Sequence, residues 1–395
     1  MNLKTPKWYV CMVHAYRIAI IGGGPTGIMT AALLDRRFDV TIFDPKPLLA
    51  TILPTGGGKC NLTHAEYDFK EFAKNYPRGE KFLYSIFSRY SMPETIEYFE
   101  KIGVKTTTKE NGKIFPVEMS SKFVREKLLE QIKHCHIEKE FVKKIEPTGE
   151  QFITHSEKSK SIFDIVIITT GGHGDFNFIK QLGLNVIEPK PALTGLCTKE
   201  NFKEISGIVL KNISNKETCL TDDLLFTHFG VSGPLIFKIS SLKAHDAAPY
   251  SLNFNITNIN DAKEFQDILN KNPHKEIKNI LSEFLPKNFV TTFLQKININ
   301  ETLHGSKIDG KTRDKILENM KNFTITITSP RPDGETVMAG GIDLKEINPK
   351  TLEAKKIPNI YFGGEVLDID GFCGGFNLQN CWSNAFIISE TINAL

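Results

Sequence analysis

The chain has 395 residues, with 49 Lys and Arg against 46 Asp and Glu and a formal net charge of +3. Hydrophobic residues make up 40% and charged residues 24%, which are ordinary globular proportions and exclude a disordered or collagen-like chain. The length predicts two or three domains with a sizeable core, and the small charge surplus does not by itself indicate a nucleic-acid partner.

Cysteine spacing and the N-terminus bear on where the protein works. The seven cysteines form no Cys-x-x-Cys pair and no His/Cys cluster at zinc-ligand spacing. We therefore expect reduced thiols, no bound metal and a cytoplasmic location. Residues 1–16 lack the apolar core and cleavage site of a signal peptide, and no apolar run is long enough to span a membrane. We interpret these residues as a leader, with Met12 as an alternative start.

The first informative stretch, residues 17–44, has the order of a β-α-β unit. An apolar run is followed by Gly22, Gly24 and Gly27 in the spacing Gly-x-Gly-x-x-Gly, then by a helical pattern, a second apolar run and Asp44. In such a unit the glycines allow a tight turn, close approach of a pyrophosphate and close helix–strand packing, and the acid binds the adenosine ribose. The motif predicts a dinucleotide site. It leaves FAD and NAD open, because both contain the ADP half.

Loop, helix and strand patterns alternate after this unit. Residues 51–63 form a polar, glycine-rich loop without a regular period. Apolar residues at helical spacing cover residues 69–102, where we expect Pro77 and Pro93 to interrupt the helix. Residues 106–116 predict a β-hairpin, because Asn-Gly is a strong turn signal. The last elements predicted in this part are a helix at 120–132 and a buried parallel strand at 163–170.

The pattern changes in the second half of the chain. From about Pro191, short alternating runs separated by turn residues predict a small β unit. Residues 261–321 are rich in Asn, Lys and Ile, but their apolar residues lie at helical spacing, which favours a folded subdomain over a low-complexity linker. The predicted elements here are helices at 261–270, 275–285 and 312–323 and a strand at 324–328. We interpret this region as an insertion, because the end of the chain returns to the glycine-and-strand pattern of the beginning.

The C-terminal stretch, residues 360–385, repeats the plan of the first motif. A short apolar strand ends in a glycine–acid turn with Glu365 and Asp368, and Gly374 and Gly375 then open a helical pattern. A helix start offers backbone N–H groups and a positive dipole end, which suits the pyrimidine side of a flavin that gains negative charge on reduction. The alternative is an ordinary helix cap whose glycines only save space.

Several motifs together resemble those of a known family. In chain order they are GGGPTG with IFD, GGGKCNLT, GKIFP, the ITTGG strand end, LFTHFGVSGP, VMAGGI and YFGGEVLDIDGFCGGFNLQNCWSNA. From Arg17 onward the chain is similar to the bacterial NAD(P)/FAD-dependent oxidoreductases, also called the BaiN or aminoacetone-oxidase family. The resemblance implies an α/β fold with a Rossmann-like, glutathione-reductase-like FAD-binding domain that is discontinuous in sequence. It also implies an inserted β-barrel and a small helical subdomain.

Together with the patterns above, the resemblance divides the chain into five segments. They are the first part of the FAD-binding domain (17–193), the first part of the barrel (194–258), the helical subdomain (259–322), the return strand of the barrel (323–332) and the second part of the FAD-binding domain (333–395). No second Gly-x-Gly-x-x-Gly follows a predicted strand, so a dedicated NAD(P)H domain is not predicted.

The resemblance also implies which residues contact the cofactor. The implied contacts are Gly22, Gly24, Pro25, Thr26 and Gly27 at the pyrophosphate, Asp44 at the adenosine ribose, Val142 at the adenine, Lys59, Cys60 and Asn61 in the loop beside the cofactor, Thr170 and Gly171 after the buried strand, and Gly364, Glu365, Asp368, Gly374, Gly375, Asn377 and Leu378 around the flavin ring and ribityl chain.

These observations predict an FAD-dependent oxidoreductase. It would transfer hydride between flavin N5 and a small or medium organic substrate, with NADH or NADPH as a transient reductant or O₂ as the other redox partner. The catalytic side chains are not identified by the sequence: His228, His173 and Cys60 are candidates, and each also has a purely structural interpretation. The alternatives are a flavin-dependent RNA-modifying protein and a flavin-binding redox sensor without turnover. On the leading interpretation no membrane or nucleic-acid partner is expected, and the oligomeric state stays open.

Overall fold

A computed structural model describes residues 16–332 and 337–395, so the predicted leader lies outside the described residues except for Tyr16. In chain order the strands are β1 (Arg17–Ile21), β2 (Asp39–Phe43), β3 (Thr63–His64), β4 (Thr106–Thr108), β5 (Lys113–Pro116), β6 (His136–Glu138), β7 (Val142–Thr148), β8 (Gln151–Ser156), β9 (Lys160–Phe163), β10 (Ile165–Ile168), β11 (Val186–Ala192), β12 (Leu196–Thr198), β13 (Val209–Asn215), β14 (Thr221–Thr227), β15 (Gly230–Ser232), β16 (Tyr250–Asn255), β17 (Phe323–Pro330), β18 (Val337–Ile342) and β19 (Ile360–Phe362).

The helices follow the same order. They are α1 (Pro25–Leu33), the single turn α2 (Thr55–Gly58), α3 (Phe69–Ala73), α4 (Glu80–Phe87), α5 (Met92–Lys101), α6 (Ser121–Gln131), α7 (Asn177–Gln181), α8 (Pro234–Leu242), α9 (Ala262–Lys271), α10 (Ile277–Leu281), α11 (Lys287–Lys296), α12 (Gly310–Lys321) and α13 (Phe376–Asn393). Among the described helices, none is long and apolar enough to cross a membrane.

A parallel sheet of five strands forms the centre of the larger domain, in the order β19-β10-β1-β2-β6. Its inner strands are continuous apolar runs; Ile18 and Ile20 of β1 and Ile167 of β10 are fully buried, as expected for a parallel sheet covered on both faces. The first and last long helices of the domain, α1 and α13, pack against each other. The start and the end of the chain therefore build one domain.

The insertion forms a second body with its own hydrophobic core. Strands β11 and β18 pair antiparallel and lead into a closed barrel in the order β12-β15-β14-β13-β16-β17. Side chains of the barrel and of helices α9 to α12 share one core, in which Phe226 and Phe323 of the barrel contact Phe289 of α11. The predicted fold class is confirmed: a discontinuous α/β domain carries an inserted barrel with a helical subdomain.

Most predicted elements are present, and two of the differences concern helices α11 and α5. Helix α11 was not predicted, because Val290, Thr291 and Thr292 give its centre a weak helix propensity, and burial of Phe289 and Phe293 compensates for this weakness. Pro93 does not interrupt a helix. It lies in the first turn of α5, where a missing N–H costs nothing.

We predict that Trp382 is a main stabilising contact between α13 and the rest of the larger domain. Its side chain is fully buried, its Nε1 donates a hydrogen bond to the Leu62 carbonyl at 3.0 Å, and its ring packs edge-on against Phe99 at 5.2 Å. Trp382→Ala should lower the free energy of unfolding by about 3–5 kcal/mol, measured by urea denaturation. Tyr67→Ala removes a ring that is 78% exposed and serves as the control, which should change stability by less than about 0.5 kcal/mol. Equal losses for the two variants would contradict the prediction.

Candidate cofactor site

The carboxyl ends of the parallel strands bring most predicted site residues to one edge of the sheet. Gly22 directly follows β1 and Asp44 directly follows β2, whereas Thr170 and Gly364 lie two residues after the ends of β10 and β19. Backbone hydrogen bonds hold these connections together: the Gly22 N–H donates to the carbonyl of Phe43 at the end of β2 at 2.9 Å. Ligands of open parallel sheets bind outside this edge.

The first glycine turn combines tight packing with an open surface. A Cβ atom on Gly22 would lie 2.4 Å from the Thr169 carbonyl oxygen, and one on Gly27 would lie 2.0 Å from the carbonyl oxygen of Gly22. On Gly24 the nearest atom would be Thr51 Oγ1 at 3.9 Å. Gly22 and Gly27 are thus needed for packing, whereas Gly24 leaves backbone accessible at the start of α1, which no described side chain caps. A phosphate group can approach the backbone at that point.

Asp44 stabilises the glycine turn and still has lone pairs that can accept hydrogen bonds from a ligand. One carboxylate oxygen accepts a hydrogen bond from the Gly23 N–H at 2.7 Å, and the other accepts from the Lys46 N–H at 2.8 Å. A carboxylate has about four lone-pair sites. The two remaining sites can accept hydrogen bonds from ribose hydroxyls.

The C-terminal loop, which we define as residues 363–375 between β19 and α13, forms the second glycine turn. A Cβ atom on Gly375, whose φ is +97°, would lie 2.5 Å from the Thr63 carbonyl oxygen. No described side chain caps α13. The amide of Asn377 accepts from the Gly371 N–H and donates to the Gly371 carbonyl, each at 2.7 Å. The side chain of Asn377 therefore holds the loop, and the helix start presents backbone N–H groups.

His64 is a part of this site that the sequence analysis missed. Its Nδ1 donates a hydrogen bond to the carbonyl of Gly374 at 3.1 Å, and its ring stacks on Phe376 with 4.9 Å between ring centroids. Its partners lie more than 300 residues away in sequence. The only available signal was its position directly after the glycine-rich loop.

The glycine-rich loop places Cys60 in the core and Lys59 on the surface. Burial raises the pKa of the Cys60 thiol to about 12, so the thiol is protonated and a poor nucleophile near neutral pH. The structure thus favours the packing interpretation of Cys60. It gives no support to its candidacy as a catalytic residue.

Buried polar atoms without a partner supply an independent test of the predicted cofactor. Within the part of the chain that the structure describes, Asn61 Oδ1, Thr63 Oγ1 and Thr170 Oγ1 are buried and accept or donate no hydrogen bond. Such atoms are costly in a folded protein unless a ligand or water pairs with them. Beside two glycine turns with uncapped helix starts, they fit a large polar cofactor such as FAD.

Glu365 is partly buried and directly follows Gly364. Burial, followed by repulsion from Asp370, raises the pKa of the Glu365 carboxyl to about 7. Glu365 forms no salt bridge with any described residue. The Gly364 N–H donates to Asn384 Oδ1 at 2.9 Å, which fixes the backbone at this point. Close to neutral pH this carboxyl can therefore hold a proton.

The remaining predicted residues lie at different distances from the sheet edge. Val142 is buried at the start of β7, and Leu378 lies in the first turn of α13. His173 is exposed in the loop after β10, whereas His228 is exposed in the barrel, in the turn between β14 and β15, with its ring edge-on to Phe229. No hydrogen bond within the described residues joins either imidazole to the sheet edge.

The chain is similar to proteins of known families over nearly its whole length. The family model of the HI0933-like protein Rossmann domain matches residues 16–222 and 304–391, and that of the HI0933-like protein barrel and H2TH domain matches residues 190–333. A "Ribosomal RNA dihydrouridine synthase" of Haemophilus influenzae is 28% identical, with 95% of this chain and 98% of the relative covered.

Two further relatives are similar over the same length. A "3-dehydro-bile acid delta(4,6)-reductase" of Clostridium scindens is 25% identical, with 94% of this chain and 97% of the relative covered. A "Ribosomal RNA dihydrouridine synthase" of Escherichia coli is 25% identical, with 95% of this chain and 97% of the relative covered.

Gly24→Val should abolish FAD binding without unfolding the chain. The new side chain would occupy the open surface before α1, where the nearest atom is 3.9 Å away, and would block the approach of the pyrophosphate. We expect the Kd for FAD, measured by fluorescence titration, to rise at least roughly a hundredfold, equivalent to ~2.7 kcal/mol. Gly310→Val makes the same change at the start of α12 and should keep wild-type FAD binding. Full flavin occupancy in Gly24→Val would refute the predicted role of this turn.

Glu365→Gln should remove one source of pH dependence from the stability of the flavin-free chain. The pKa of Glu365 rises from 4.5 to about 7 on folding, so the folded state binds the proton more tightly. Wild-type stability should fall as the pH rises from about 4.5 to about 7, by up to about 3 kcal/mol, and should then level off. Urea denaturation at pH 5 and pH 8 should show a smaller loss in Glu365→Gln. The exposed Glu110→Gln should keep the wild-type loss, and equal losses in all three proteins would contradict the assignment.

Proposed function

Because this chain belongs to the HI0933-like family of FAD-dependent oxidoreductases, we propose that it reduces a carbon–carbon double bond conjugated to a carbonyl group. FAD binding is supported by the two glycine turns at one sheet edge and by the buried unpaired polar atoms beside them. The identity of the reduced bond is argued from the chemistry that the relatives' names share.

The names of the relatives describe different substrates but one type of bond. Dihydrouridine is uridine in which the ring double bond, conjugated to a carbonyl, has been saturated. A delta(4,6)-reductase of a 3-dehydro bile acid acts on double bonds conjugated to an oxo group. Reduction of such a bond requires a hydride for one carbon and a proton for its neighbour. The same fold can therefore serve both substrates by changing the walls of the substrate pocket.

The described residues supply the binding and proton-holding parts of this chemistry. The backbone at the start of α1 would bind the pyrophosphate, and Asp44 would accept hydrogen bonds from the ribose. When bound and reduced by NADH or NADPH, FAD would supply the hydride from N5. The start of α13 would direct N–H groups at the flavin ring, and Glu365, whose pKa is about 7, can hold a proton beside it.

Thiol chemistry receives no support in the described part of the site. Burial raises the pKa of Cys60 and of Cys381 to about 12, and it also raises the pKa of Cys373 in the C-terminal loop. A flavin-linked dithiol needs at least one thiolate near neutral pH. We therefore infer direct hydride transfer to the substrate rather than transfer through a disulfide.

A second candidate substrate is RNA, which two of the relatives' names favour. A small conjugated carbonyl compound remains the first candidate, because the net charge of +3 gives little general attraction to a polyanion. Both candidates contain the same reducible unit. A substrate screen can therefore test both with one readout.

The test is reoxidation of the reduced enzyme. The purified protein with bound FAD is reduced without oxygen by NADH or NADPH in a stopped-flow instrument, and then mixed with 2-cyclohexenone, a 3-oxo-Δ4 steroid or unmodified ribosomal RNA. We expect at least one of these to reoxidise the flavin and to gain two hydrogen atoms, detected by mass spectrometry. Reoxidation by RNA should slow steeply as salt is raised, whereas reoxidation by a neutral ketone should not.

Matched compounds and variants make this test specific. Cyclohexanone and cyclohexene each lack the conjugated unit and should leave the flavin reduced. Gly24→Val should show no flavin signal. If no conjugated compound reoxidises the flavin faster than its saturated analogue, the proposal of double-bond reduction is wrong. If the flavin is not reduced by either nicotinamide but is reduced by dithionite, another reductant serves the same site.

A further inference from the structure

A buried ion cluster joins three parts of the chain. It contains Arg78, which lies between α3 and α4, Asp368 and Asp370 of the C-terminal loop, and Ser241 of α8 in the barrel. The side chain of Arg78 is 17% exposed, that of Asp368 13% and that of Asp370 0%. We call these four residues the Arg78 cluster.

One nitrogen of Arg78 links the loop to the barrel. Nη2 lies 2.5 Å from Asp370 Oδ1 and donates a hydrogen bond to the Ser241 carbonyl at 3.0 Å. The Ser241 hydroxyl donates to the other carboxylate oxygen of Asp370. The backbones of Arg78 and Asp370 also form an isolated antiparallel bridge. Each of the three residues therefore contacts the other two.

The rest of the loop is held from both sides. The Asp368 N–H donates to the carbonyl of Ile342 in β18 at 3.1 Å, and Ile342 and Leu367 form an isolated parallel bridge. On the other side a Cβ atom on Gly79 would lie 2.8 Å from Ile369 Cγ1. The loop thus contacts the Arg78 segment on one side and helix α8 and strand β18 on the other.

Charge balance argues against a purely stabilising role for this cluster. Two carboxylates face one guanidinium, and burial raises the pKa of both Asp368 and Asp370, opposed by Arg78 and more weakly by His245. A buried ion group of this kind is commonly no more stable than apolar residues of the same size. What it provides is a defined geometry, because Arg78 Nη2 contacts Asp370 and the Ser241 carbonyl together and the Ser241 hydroxyl donates to Asp370.

We propose that Arg78 is a positioning residue that holds the C-terminal loop against helix α8 and thereby fixes the barrel relative to the cofactor site. Glu365 and the Gly374–Gly375 turn belong to the same loop. A shift of the loop would therefore change the surroundings of the cofactor and the position of the barrel together.

Arg78→Lys and Ser241→Ala test this role by amide hydrogen exchange of the full chain with bound FAD. Lysine keeps the charge but cannot pair with Asp370 and the Ser241 carbonyl in the same geometry. Ser241→Ala removes the hydroxyl that α8 donates to Asp370. Each variant should raise exchange in residues 366–373 and in α8 by roughly tenfold, while α9 keeps its wild-type exchange. The double variant should add little to the single variants, because both changes remove the same link.

Arg89→Lys is the matched control. Arg89 pairs with Glu390 and the Lys350 carbonyl away from the C-terminal loop, and its substitution should leave exchange in the loop and α8 unchanged. The reduction potential of the bound flavin should shift in Arg78→Lys and stay constant in Arg89→Lys. Unchanged exchange in the loop and α8, or an equal rise across the whole molecule, would overturn the proposal. Neither measurement needs a substrate, so the outcome is independent of the proposed reaction.

Discussion

The pairing of β19 with β10 is the constraint on which the rest of the site depends. Only three residue pairs form it, from Val166–Ile360 to Ile168–Phe362. Such a short strand cannot hold its register alone, and the packing of α13 on α1 supplies the remaining restraint. This pairing brings the second glycine turn to the edge where the first glycine turn already lies. Without it the chain would have one half of a cofactor site.

A second strand pairing explains why a large insertion is tolerated. The chain leaves the larger domain through β11 and returns through β18, and these two strands pair antiparallel from Val186–Ile342 to Ala192–Val337. The two ends of the insertion are therefore neighbours. The cost of closing a long loop rises only with the logarithm of its length, and the insertion has its own core. Its size has little effect on the larger domain, but its position affects the site through α8 and β18.

Local patterns predicted the fold and the glycine turns, whereas contacts between distant residues were invisible to them. Gly22, Gly24 and Gly27 could be assigned because a strand, a turn and a helix follow one another within one short segment. The contact of His64 with Gly374 spans 310 residues and that of Arg78 with Ser241 spans 163, and neither follows any periodicity. The hydrogen bonds of the Asn377 amide with Gly371 were likewise not visible in the sequence, and its flavin contact stays a prediction.

The charges of the C-terminal loop determine which of its carboxyl groups can hold a proton near neutral pH. Glu365, Asp368 and Asp370 lie within six residues, and burial is the largest cause of the raised pKa of each. Arg78 can balance one carboxylate, and the start of α13 adds only about half a positive charge. Three ionised carboxylates would therefore leave an excess of negative charge in a site whose cofactor becomes more negative on reduction. A proton on Glu365 removes most of that excess, and with a pKa of about 7 this carboxyl is the group in the loop that can take up or release a proton at little cost near neutral pH.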